Sequence, residues 1–97
     1  MIEQSGESLR VTVPMVIANA SALLLAGRKF LKAAPPAAET VFDLSSVDET
    51  DSSALTIVFA WLRTAHQRGT TLRIINPPAS MISLAELYSV SDFLPLA

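Results

Sequence analysis

The chain has 97 residues, enough for one domain that buries somewhat over ~60% of its unfolded surface. Hydrophobic residues make up 51% and charged residues 16%, which excludes a disordered chain; the mean hydropathy of +0.44 fits an apolar surface kept for a partner. Seven Lys and Arg stand scattered against nine Asp and Glu, for a net charge of −2, which argues against nucleic acid as a ligand; with no cysteine, disulfides, thiolate metal sites and cysteine nucleophiles are excluded together.

Taken in chain order, Met1 to Gln4 suggest a short edge strand, turned at Ser5 and Gly6. Leu9, Val11 and Val13 then alternate with Arg10 and Thr12, the pattern of a half-buried strand, which Pro14 stops. From Asn19 the period becomes helical: Ala20, Leu23, Leu24, Gly27, Phe30, Leu31 and Ala34 share one face, with Asn19 as the expected N-cap and Pro35 as the terminator. Val41, Phe42 and Leu44 make a strand that runs into a polar, acidic loop. A helix over 52–68 follows, closed by Gly69, then a strand over 71–75 ended by Asn76, Pro77 and Pro78. A last helix over 80–88 and the apolar tail Phe93, Leu94, Pro95 and Leu96 complete the chain. Alternating strands and helices predict an α/β fold, a small, mostly parallel mixed sheet with helices packed against it, in a single domain over 1–97. The opening residues, with Glu3, Gln4 and Glu7, do not read as a leader, and the apolar stretch 16–27 is well short of the ~20 residues of a membrane span. The expectation is a cytoplasmic protein without membrane insertion.

Enzyme chemistry finds few supports. Three glycines exclude a P-loop and a dinucleotide fingerprint, and the single histidine, His66, leaves no paired metal ligands and reads as a surface residue near a helix C-terminus. Asp43, Asp48, Glu49 and Asp51 crowd one loop; a hard cation or acid–base work is one reading, helix and loop stabilisation the favoured one. Asp51-Ser52-Ser53 at the mouth of the second helix are good caps. The same place would tolerate a phosphoserine, which adds about −1.5 to −2 charge units. Along that helix Leu55, Val58, Phe59, Leu62 and Ala65 are expected in the core, with Ser53, Thr56, Ala60, Thr64 and Gln67 opposite. Ile57 and Trp61 on the shoulder suit either a groove for a partner or a cover over a neighbouring element.

Phe42-Asp43-Leu44-Ser45-Ser46-Val47 and Asp51-Ser52-Ser53-Ala54-Leu55, set in this order of elements, resemble the central motif of STAS domains, sulfate transporter and anti-sigma factor antagonist modules. Residues 57–63, Asn76-Pro77-Pro78, 84–90 and Phe93-Leu94-Pro95 are similar to the MlaB-type branch, STAS subunits that bind the ABC ATPase of a phospholipid transporter serving outer-membrane lipid asymmetry. The resemblance implies a non-catalytic cytoplasmic subunit without cofactor, held at the inner membrane through its partner. The contact it implies is Asp51, Ser52, Ser53, Thr56, Ile57, Ala60, Trp61 and Thr64. A chain without its partner would be prone to homodimerise through the exposed shoulder. The other branch implies an anti-sigma factor antagonist switched by a kinase that phosphorylates Ser52. Ala54 stands where such antagonists usually carry glycine, and its methyl would oppose close approach of the kinase.

Overall fold

A computed structural model describes residues 1–96; Ala97, the last residue of the expected domain, lies outside the described residues. The elements are β1 (Ile2–Ser5), β2 (Ser8–Val11), α1 (Ile17–Ala33), β3 (Glu39–Asp43), α2 (Ser53–Arg68), β4 (Thr71–Ile75) and α3 (Ala79–Leu87), followed by a single 3-10 turn over Ser91–Phe93. The strands lie in the order β1-β2-β3-β4; β1 pairs antiparallel with β2, and the other pairs are parallel. Ser5 pairs with Ser8 across a two-residue turn in which Gly6 takes φ +62°, a left-handed angle that suits glycine at the first position of a type II′ turn.

Both parallel connections step the same way across the sheet. With right-handed crossovers this puts α1 and α2 on one face, and the strand register agrees. Leu9, Phe42 and Ile74 are aligned partners, Thr40 faces Leu72, and all five are buried beneath the helices. Residues of the opposite parity, including Arg10, Val41 and Arg73, form an outer sheet face that no helix covers. It is dressed by the exposed pairs Arg10–Glu3 (3.6 Å) and Arg73–Glu39 (3.7 Å), which contribute little to stability. The free edge of β4 is met by the C-terminal tail: the Ile74 N–H donates to the Pro95 carbonyl at 2.8 Å, and Leu94 is buried. This covers part of an otherwise open edge.

Trp61 joins the layers. Its indole is fully buried and stacked on Phe42, with ring centroids 4.4 Å apart and planes 15° from parallel, while its N–H donates to the Leu23 carbonyl of α1 at 3.2 Å. Such an aromatic pair contributes about 0.5–1.5 kcal/mol beyond the area it buries. α1 reaches the ring because Gly27 has no side chain; a Cβ there would overlap the indole.

Several boundaries differ from the sequence reading: β2 ends at Val11, before Val13, β3 ends at Asp43, before Leu44, α2 starts at Ser53 and α3 ends at Leu87. α1 begins at Ile17, two residues before Asn19, whose side-chain amide donates back to the Pro14 carbonyl at 2.8 Å instead of capping the helix. α3 begins at Ala79, directly after Pro78, one residue before the expected start. Gly69 ends α2 in the left-handed conformation at φ 70°, as its type predicts.

Candidate functional site

The polar loops gather at the carboxyl ends of the parallel strands, where open α/β sheets place their working surfaces. There the segment after β2 runs beside the segment before α2. The Met15 N–H donates to the Glu49 carbonyl at 3.0 Å, and the Asp51 N–H donates to the Met15 carbonyl at 3.3 Å. Asp51 then links two helix starts: Oδ2 accepts the Ile17 N–H at 3.0 Å and Oδ1 accepts the Ser53 N–H at 2.8 Å. Both are backbone donors that a helix leaves free in its first turn. They hold the Asp51 carboxyl below its ordinary value, the Ile17 amide contributing most and Ser53 adding to it.

Ser52, by contrast, is exposed and its hydroxyl makes no capping bond. The aspartate, not the serine, is therefore the cap, and the Ser52 hydroxyl stands free at the corner. Asp43 is engaged in a comparable way. Its slight burial raises the carboxyl, but the Asn76 amide at 3.1 Å and the Ser45 N–H at 2.9 Å outweigh that and lower it overall. A third link, Thr50 Oγ1 to Ser80 Oγ at 2.6 Å, ties the loop to α3. Of the four loop carboxylates, Asp43 and Asp51 are thus occupied by the fold's own N–H donors, while Asp48 and Glu49 face outward. Among the described residues no three acidic or histidine side chains come together as metal ligands, and no helix is long and apolar enough to cross a membrane.

The eight expected contact residues separate into two groups. Asp51, Ser52, Ser53 and Thr56 lie together at the open corner. Ile57 and Trp61 are fully buried, and Ala60 and Thr64 nearly so, which corrects the reading of these four as a partner-facing surface. The physical reason is the central position of α2, which packs on the sheet below, on α1 along one flank and on α3 along the other, so that a narrow strip alone stays open. That strip runs through Ser52, Thr56, Arg63 and His66, bordered by Phe59, which with Leu62 is half-buried against the core and not inside it as expected. Sequence reasoning also missed Ile17, 74% exposed at the start of α1 and tied to the corner through Asp51. A large apolar residue directly before Ala18 and Asn19 was the available signal.

A single four-stranded mixed sheet with parallel crossovers, its helices on one face, is the fold of solved anti-sigma factor antagonists. A candidate anti-sigma factor antagonist from Thermotoga maritima superposes with a TM-score of 0.71 at 14% identity, over 99% of this chain and 83% of that one. The anti-sigma factor antagonist SpoIIAA in its unphosphorylated form gives 0.65 at 11% identity, over 90% and 81%. The structure of Mglu gives 0.60 at 17% identity, over 81% of this chain but 20% of that much longer one. No curated protein matches the sequence. At the level of sequence the family is defined: the chain belongs to the family described as "Mlab, STAS domain", whose model matches residues 1–96.

Proposed function

We propose that this chain is a non-catalytic docking subunit that binds the ATPase of an ABC-type phospholipid transporter through the Asp51–Ser52–Thr56 corner. The observation that carries the reading is a corner fixed by backbone hydrogen bonds whose outermost groups, the Ser52 hydroxyl and the Thr56 and Ile17 side chains, have no role inside the fold. A rigid rim around a few unengaged groups is what a protein interface needs, since little ordering is left to do on binding. The Mlab description of the family supports the transporter branch. On this reading the protein works in the cytoplasm, at the inner membrane through its partner.

A second reading, an anti-sigma factor antagonist switched by phosphorylation of Ser52, is favoured by the free Ser52 hydroxyl and by the likeness in fold to two anti-sigma factor antagonists. Ala54 does not oppose it in the expected way, because its methyl is fully buried and faces the core, not an approaching kinase. The deciding experiment is affinity purification of the tagged protein from the membrane and soluble fractions of its own cells, followed by mass spectrometry. The transporter reading expects an ABC ATPase together with its permease. Recovery of a kinase-like anti-sigma factor instead, with phosphate on Ser52, would replace it.

A further inference from the structure

Burial of Ile57 and Trp61 removes the shoulder of α2 as a place for a second copy. α1 offers a different surface, and its character changes along the helix. Helical spacing sets Ile17, Ser21, Leu25, Arg28 and Lys32 in one row. The first half of the row is uncharged and open to solvent: Ile17 is 74% exposed and Leu25 57%, with the small residues Ala18, Ser21 and Ala22 exposed between them. The second half is cationic, and no carboxylate lies on α1 to neutralise it. Ahead of the row stands the acidic loop. The Met15 N–H donates to the Glu49 carbonyl and the Ile17 N–H to Asp51, so the exposed side chains of Asp48 and Glu49 stand near the head of the helix.

The flank of α1 toward the β1–β2 turn is mixed in charge and selects no occupant. Lys29 borders an apolar trough there, but Glu7 and Glu39 line the hollow beyond Phe30. The order acidic, apolar, basic along the helix does select one. We propose that α1 is the contact of a symmetric homodimer, packed antiparallel against α1 of a second copy about a two-fold axis beside Leu25. The antiparallel arrangement brings Arg28 and Lys32 of each copy opposite Ser21 and Ile17 of the other, close to its acidic loop. A parallel pair would set cation against cation and carboxylate against carboxylate. Leu25 is the midpoint of α1, so the same register brings it close to its own copy, and both ends match at once over ~25 Å of helix. A bilayer surface that attracted the cations would repel Asp48 and Glu49. An unrelated protein would need the same order by coincidence, whereas a second copy carries it necessarily. Ile17 belongs to this surface and to the Ser52 corner, so a chain paired through α1 cannot dock a partner there.

Sedimentation equilibrium of the purified full chain tests it, at low ionic strength where charge pairs are least screened. The expected result is a reversible dimer. Arg28→Glu with Lys32→Glu, and separately Asp48→Lys with Glu49→Lys, should each weaken it about tenfold or more, while the melting temperature stays within a few degrees. Mixing the two variants should restore association, because both contacts of the mixed pair again join opposite charges; a defect in folding would not be cured by mixing. Leu25→Asp should abolish the dimer and leave the fold intact, since the side chain is outside the core. A chain that stays monomeric up to about 1 mM would overturn the proposal. So would a dimer indifferent to Leu25→Asp or to the charge reversals, or a pair of reversed variants that does not associate on mixing.

Discussion

Replacing Gly27 by alanine sets two effects of opposite sign against each other. In an open helix interior the change stabilises by about 1 kcal/mol, since glycine loses more backbone entropy on folding and alanine is the best helix former. Here the added Cβ would overlap Cε2, Nε1 and Cζ2 of Trp61. The ring has no room to yield: it is fully buried, stacked on Phe42, and hydrogen-bonded to the carbonyl of Leu23 one turn earlier on the same helix. Forcing a methyl into a packed site costs about 1–3 kcal/mol, and a stiff aromatic neighbour puts this case at the upper end. The expected net result is a loss of about 1–2 kcal/mol, which for a domain of this length lowers the melting temperature by roughly 5–15 °C. Thermal unfolding followed by circular dichroism reads this directly, and a raised melting temperature would refute the packing argument. The alanine should also cost less in a Trp61→Phe background, where the smaller ring gives way, with a coupling of about 0.5–3 kcal/mol. Strict additivity of the two substitutions would count equally against it.

Trp61→Ala should destabilise the domain by about 3–5 kcal/mol, a large part of the ~5–15 kcal/mol typical of domains, so denaturant unfolding will show a loss of fold before any specific loss of binding. Ser52→Ala should leave the melting temperature unchanged while Asp51→Ala lowers it, because the aspartate makes the capping bonds; the reverse order in a thermal melt would reassign the cap. The carboxyls of Asp51 and Asp43 sit below the ordinary value of 3.8 in the folded chain, so their contribution is fully present above that pH and is lost as the pH falls through the lower folded values. Acid titration of stability should therefore steepen below about pH 4, and Asp51→Asn should flatten that limb. Thr56→Arg and Ile17→Asp, both at exposed positions, should abolish co-purification of the partner with little change in melting temperature. Retained binding in both would move the contact elsewhere.

Periodicity and punctuation carried most of the fold. Pro35, Gly69 and the Pro77-Pro78 pair each bound an element by backbone chemistry that tertiary context did not override, whereas β2 ends at Val11, ahead of Pro14. The head of α2 was legible for the same reason, since a run of Asp and Ser has few other uses there. The far side of α2 was not, because a sequence shows one helix at a time. A helix with neighbours on three sides buries Ala60 and Thr64 as readily as leucine, and small residues are the ones that let α1 come close. The place of Trp61 depended on Gly27, 34 positions earlier by number, a pairing that no local pattern reveals.

The Asp51 carboxylate holds together stretches of chain that follow two different strands, bonding the amide of Ile17, 34 residues upstream. The corner thus takes its final shape after β2, α1, β3 and the start of α2 have all found their places. A partner that recognises it reads a checksum of the assembled domain: truncated or half-folded chains carry the same Asp-Ser-Ser letters but present them on a slack loop. On the proposed docking reading, discrimination of folded from unfolded chains is built into where one side chain makes its two bonds.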